Sequence, residues 1–157
     1  MENPLLYNEL EDDELKSQFD QLTSAIFSIN GNSSEEEMRA LDERIQCEVA
    51  AEPILGRIAK RYGRVSLLWA ACTTLKTKLF RPAMKCLIEA NPSALLWYSN
   101  GHLPMYIIAR HSRFCVLVPW IATNYQWVLD HEICILDPPV FDFLEHYQYY
   151  KLLQHWL

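Results

Sequence analysis

Histidine and cysteine are the side chains of this sequence most suited to chemistry, and two pairs of them are spaced for chelation. His111 and Cys115 stand four positions apart and His131 and Cys134 three apart, with fifteen residues between the pairs. Imidazole and thiolate are zinc donors, and either spacing lets one pair grip one ion. Two features oppose a metal site. His111 and Cys115 straddle an expected turn between helices, and Cys134 lies in the apolar run "ICIL", where a thiol serves as a small hydrophobe. Neither a metal nor a cofactor is expected. A thiol nucleophile is the other option, because a cysteine and a histidine meet in space rather than in sequence. Cys72 falls on an apolar face, Cys86 lies between Lys85 and Leu87, and neither has a flanking signature, so packing is the expected role. The sequence holds no G-x-x-x-x-G-K-[ST], no G-x-G-x-x-G and no C-x-x-C. Its four glycines leave little material for a phosphate-cradling loop. No catalytic residue is assigned, and no small-molecule substrate is expected.

The charges say more. Residues 1–45 carry twelve acids and three bases, whereas residues 46–157 carry eight acids and eleven bases. Residues 53–88 contain no acid and eight bases: Arg57, Lys60, Arg61, Arg64, Lys76, Lys78, Arg81 and Lys85. Such a stretch attracts an anionic surface. The acidic segment 1–45 offers intramolecular neutralisation, and an acidic protein partner is the functional alternative. Nucleic acid is not expected, since no recognised module is present and the overall pI is about 5.3.

These side chains need elements to hold them. The chain is 157 residues long, 50% hydrophobic and 22% charged, which suits one globular domain with a real core. Its acidic start lacks the basic region of a secretory signal, and apolar runs such as "CVLVPWIA" are too short to span a bilayer. Five widely spread cysteines (47, 72, 86, 115 and 134) fit reduced thiols in the cytoplasm or nucleus, so the sequon Asn32-Ser33-Ser34 is not expected to carry glycan. Residues 1–11 are expected to be a flexible acidic lead. Leu15, Phe19, Leu22, Ile26 and Ile29 form one helical stripe. "NGNSS" breaks the chain, and Ser34 followed by Glu37 makes a capping box for a second helix that runs to about Ala51. Beyond residue 53, short helices alternate with turns: "SLLWAACTTLK", "RPAMKCLIEA", "LPMYIIARH", "CVLVPWIATN" and a final aromatic segment, 136–157.

These short helices repeat. "GRVSLLWAAC" (63–72) lies over "GHLPMYIIAR" (101–110) at an offset of 38, matching Gly63 to Gly101 and Ala71 to Ala109. "LIEANPSALL" (87–96) lies over "WIATNYQWVL" (120–129) at an offset of 33, matching Asn91 to Asn124. "AAEPILGRIAKRYG" likewise resembles "EANPSALLWYSNG". A longer "TLKTKLFRP" turn accounts for the two different offsets. Two short helices and a glycine-containing turn per unit, near a period of 33, resemble the ankyrin repeat. Its helix start, G-x-T-P-L-H-x-A-A, is matched at Gly101, Pro104, Met105 and Ala109, and at Gly63, Leu67, Ala70 and Ala71. Neither copy has the family's Thr and His, and Asn91-Pro92 stands where Gly-Ala is common.

The resemblance covers roughly residues 50–135. It implies an all-α domain, 12–157, of stacked helix-turn-helix units in a short ankyrin-like solenoid. A helical hairpin (12–52) caps one end, degenerate repeats fill 53–135, and 136–157 caps the other end. It also implies a non-enzymatic adaptor that meets a protein partner through finger turns and inner helices. The residues assigned to that face are Arg61, Tyr62, Arg64, Lys76, Lys78, Arg81, Tyr98 and His102. Trp97 is placed equally well on that face or in the packing between units. A structural subunit of a larger assembly is the competing expectation, and a small thiol enzyme using Cys72 or Cys86 is a third.

Overall fold

The structure, a computed structural model, describes residues 3–60, 65–75, 77–97, 103–111 and 113–131. Helix α1 (Asp13–Ser28) starts where Asp12 Oδ1 accepts from the Glu14 and Leu15 N–H groups, each at 3.0 Å. That bond fills donors the first turn cannot use itself. Phe19, Leu22 and Ile26 bury the expected stripe. Helix α2 (Glu35–Ala51) starts at the expected cap, with Ser34 Oγ 3.1 Å from the Glu37 N–H, and buries Leu41, Ile45 and Val49. Helix α3 (Leu67–Thr74) is capped by Ser66, and α4 (Arg81–Ala90) carries Pro82 in its first turn, where a missing N–H costs no bond. Helices α5 (Pro104–Arg110), α6 (Val118–Asn124) and α7 (Gln126–Leu129) follow. The described residues are thus mainly helical, as the sequence pattern requires.

Helix α3 lies between α1 and α5, and α4 packs along α2. This placement explains why α3 is apolar nearly all round: Leu67, Leu68, Ala70, Ala71 and Cys72 are all buried. Its alanines let the neighbouring backbones approach, and the buried side chains of α1 to α7 form one continuous core.

Two prolines open matching segments. Pro53–Arg57 and Pro92–Leu96 are both five-residue 3-10 turns that follow directly on a long helix. Asn91, 2% exposed, donates from Nδ2 to the Gly56 carbonyl at 3.3 Å, and so ties the end of α4 to the first of these turns. A Cβ on Gly56 would stand 3.0 Å from the Ala90 Cβ, so this close approach depends on glycine.

The structure departs from the sequence reading in two places, decides between the alternatives for Trp97, and leaves the C-terminal segment outside the described residues. Residues 5–9 are held down: β1 (Leu5–Leu6) pairs in parallel with β2 (Ile58–Ala59), and Tyr7 packs on the Phe19 ring at 5.8 Å. Trp97 is fully buried, which places it in the packing. The lengthened turn is not the cause of the two offsets. Helices α3 and α5 begin 37 residues apart, at Leu67 and Pro104, as do α4 and α6, at Arg81 and Val118. The missing residues are in α6, seven residues long against ten in α4. Finally, the segment 136–157, expected to cap the stack, lies outside the described residues.

Candidate binding cleft at the inter-helix turns

The N-terminal part of α2 and the connections from α3 to α4 and from α5 to α6 border one open cleft of about 670 Å³. Its walls are Glu35 and Arg39 from the first two turns of α2, Thr77, Lys78 and Leu79 from the α3–α4 connection, Arg81 from the start of α4, and Arg113 from the α5–α6 connection. Four cations therefore face one carboxylate. The starts of α2 and α4 also open here, and a helix start carries partial positive charge.

Two of the guanidinium groups are held in place. Arg81 donates from Nε to the Arg113 carbonyl at 2.8 Å, which ties the start of α4 to the α5–α6 connection. Arg39 donates from Nε and Nη2 to Glu35 Oε1 at 3.0 and 2.7 Å. That ion pair is well exposed, so its net worth is a few tenths of a kcal/mol and it yields readily to a competing anion. Lys78 is exposed and makes no ion pair with a described residue. On the cleft wall, the Thr77 hydroxyl oxygen is buried without a hydrogen-bond partner.

Asp42 sets the spacing between the two helices that flank the cleft. It is 8% exposed, and its Oδ1 accepts from the Ala83 N–H in the first turn of α4 at 3.0 Å. Oδ2 accepts from Gln46 Nε2 at 2.8 Å. Burial raises the pKa of this carboxyl; the Ala83 and Gln46 bonds pull in the opposite direction without cancelling the effect. One carboxylate on α2 thus serves as the missing cap of α4, and so holds Arg81 opposite Arg39.

The predicted site residues divide. Lys78 and Arg81 meet in this cleft. Arg61, Tyr62, Arg64, Lys76, Tyr98 and His102 lie outside the described residues. Lys60 and Val65, which bracket residues 61–64, pair through an isolated bridge before α3 begins, whereas Lys78 and Arg81 follow the end of α3. The eight-residue α3, about 12 Å long, runs between them. Arg39 and Arg113 were not anticipated. Arg39 belongs to the acidic segment, and Arg113 stands 32 positions beyond Arg81, so no local pattern signals either.

The question of internal neutralisation resolves residue by residue. Lys60 bridges to Asp20 at 3.4 Å and covers the Tyr7 ring at 5.1 Å, so the acidic segment does neutralise it. Lys85 covers the Trp120 ring at 5.4 Å. Lys78 and Arg81 have no carboxylate partner among the described residues.

Neither thiol named for a nucleophilic role is exposed. Cys72 is fully buried, and desolvation pushes its pKa far up, which removes the thiolate that a nucleophile requires. Burial, with Glu89 and Asp42 nearby, pushes Cys86 up as well. Among the described residues no three His, Cys, Asp or Glu side chains gather as a metal site, and Cys134 lies outside them. Among the same residues no helix is long and apolar enough to cross a membrane. Comparison of the chain with known protein families, curated proteins and solved structures returns no match.

Proposed function

We propose that this chain is a non-enzymatic protein-binding module built as a short stack of helical hairpins of ankyrin-like kind. The order of packing supports the stack: α1 packs with α2 and α3 with α4, α4 runs along α2, and α3 lies between α1 and α5. The paired 3-10 turns at Pro53 and Pro92 support it too, because they recur at matching places in successive units. A unit of this size cannot bury its apolar face alone, and stacking supplies the missing cover.

The observation that carries the functional reading is the cationic cleft. Arg39 of α2, Lys78 and Arg81 at the approach to and start of α4, and Arg113 of the α5–α6 connection surround a space large enough for several side chains of a partner. Guanidinium groups held by their own hydrogen bonds lose little freedom on binding, which favours recognition of an anionic segment. The partner is an acidic protein segment, and the chain's work is rigid display. Arg61, Tyr62, Arg64, Lys76, Tyr98 and His102 remain proposed partner contacts on the grounds of sequence alone.

A fluorescein-labelled polyglutamate peptide tests it by anisotropy. Lys78→Ser with Arg81→Ser should weaken binding about tenfold, a loss of about 1.4 kcal/mol, with the thermal midpoint unchanged. Unchanged affinity in that double variant refutes the cleft as the contact. Loss of binding on Arg61→Ala with Arg64→Ala instead would move the contact to the finger turns.

A further inference from the structure

The anion that best fits the cleft is more specific than a carboxylate. We infer that the cleft lined by Arg39, Lys78, Arg81 and Arg113 binds a phosphomonoester carried on a side chain of the protein partner. The inference rests on the proposed reading of the chain as a binder of acidic protein segments, and narrows it.

Charge is the first ground. Glu35 is engaged by Arg39, and Lys78 and Arg81, which have no carboxylate partner among the described residues, leave a surplus that one carboxylate cannot balance. A phosphomonoester brings a charge of about −1.5 to −2 and three terminal oxygens to one point. Donor geometry is the second. A carboxylate is planar and satisfied by one guanidinium fork, whereas tetrahedral oxygens take donors from several directions. Here the donors come from separate elements: Arg39 from the start of α2, Lys78 and Arg81 from the approach to and start of α4, and Arg113 from the turn before α6. Preorganisation is the third. The Arg113 carbonyl fixes Arg81 through Nε, and Glu35 fixes Arg39 until an anion displaces it. Lys78, exposed on its flexible stem, adds a cation that can follow the ligand.

The cleft's size separates a side-chain phosphate from a free one. About 670 Å³ exceeds what one phosphate fills, and leaves room for the residues on either side of a modified serine. The open mouth lets a chain enter and leave.

Three probes decide the matter by anisotropy or calorimetry on the full chain: a glutamate-flanked phosphoserine peptide, its twin with glutamate in place of phosphoserine, and inorganic phosphate alone. The phosphopeptide should bind at least roughly tenfold tighter than its twin, since each added charge-assisted bond is worth about that factor. Lys78→Ser with Arg81→Ser should abolish the difference. Glu35→Gln removes the competing carboxylate and should tighten the phosphopeptide severalfold, a gain that a merely damaged fold would not produce. Equal affinity for the two peptides, with both lost in the double variant, overturns the phosphate inference and leaves the acidic-partner reading standing. Binding of neither peptide overturns both. A phosphopeptide preference that survives the double variant places the site elsewhere and overturns the inference. Inorganic phosphate binding as tightly as the phosphopeptide overturns the side-chain source.

Discussion

Replacing Asp42 is the sharpest perturbation of the scaffold, because one carboxylate both caps α4 and spans the gap to α2. In Asp42→Ala the Ala83 N–H loses its acceptor where water has little access, since the site is 8% exposed. Loss of a helix cap costs about 1 kcal/mol. Because the donor left behind is buried, that cost rises to about 2–3 kcal/mol. Relief of a desolvated charge returns part of this, so the net loss is about 2 kcal/mol. For a chain of this length that lowers the thermal midpoint by about 4–8 °C. Asp42→Asn keeps an oxygen facing Ala83, and Gln46 can turn its amide to accept from the new one, so the loss stays under about 1 kcal/mol. The two variants also differ in their response to pH. The native carboxyl has a raised pKa, so the folded state takes up its proton before the unfolded state does. Stability of the parent therefore rises as pH falls from that raised value toward the ordinary 3.8, and flattens below it. Asp42→Asn lacks this rise. Urea melts over an acidic pH series measure both effects. An alanine variant within about 0.5 kcal/mol of the parent would refute the capping role. An asparagine variant that kept the full acid-side rise would assign the titration to another group.

Three further outcomes follow from the packing. Gly56→Ala forces a methyl against the Ala90 Cβ, 3.0 Å from where it must sit, and should destabilise by about 1–2 kcal/mol in denaturant melts. Trp97→Ala empties a fully buried site and should cost about 3–5 kcal/mol, with loss of cooperative unfolding as the visible sign. Among the described thiols, the exposed Cys47 should react first with a maleimide and the buried Cys72 last, at a rate set by opening of the fold. Fast native-state labelling of Cys72 would revive the thiol-enzyme reading.

Local pattern made much of the scaffold legible. The stripe of Phe19, Leu22 and Ile26, the Ser34 cap and the Pro82 start are each set by neighbours within a turn or two, and α1, α2 and α4 lie where those signals place them. The links between elements were not legible. Leu5–Leu6 pairs with Ile58–Ala59 through backbone bonds, and a two-residue strand carries no periodicity. Asp42 reads as one more acid on a helix until Ala83, 41 positions later, is brought against it. The cleft is harder still to foresee, because Arg39, Arg81 and Arg113 come from three separate elements. The acid-free stretch pointed to Lys78 and Arg81 through composition alone. Internal partners for Lys60 and Lys85 became visible only when Asp20, Tyr7 and Trp120 were in place.

The most direct test of the central claim is an amide chemical-shift titration of the isotope-labelled full chain with the polyglutamate peptide. The account predicts shifts gathered at residues 35–39, 77–81 and 113, fading as salt is raised. Shifts centred on Lys60 and Val65 at the opposite end of α3, with those three segments unmoved, would contradict it.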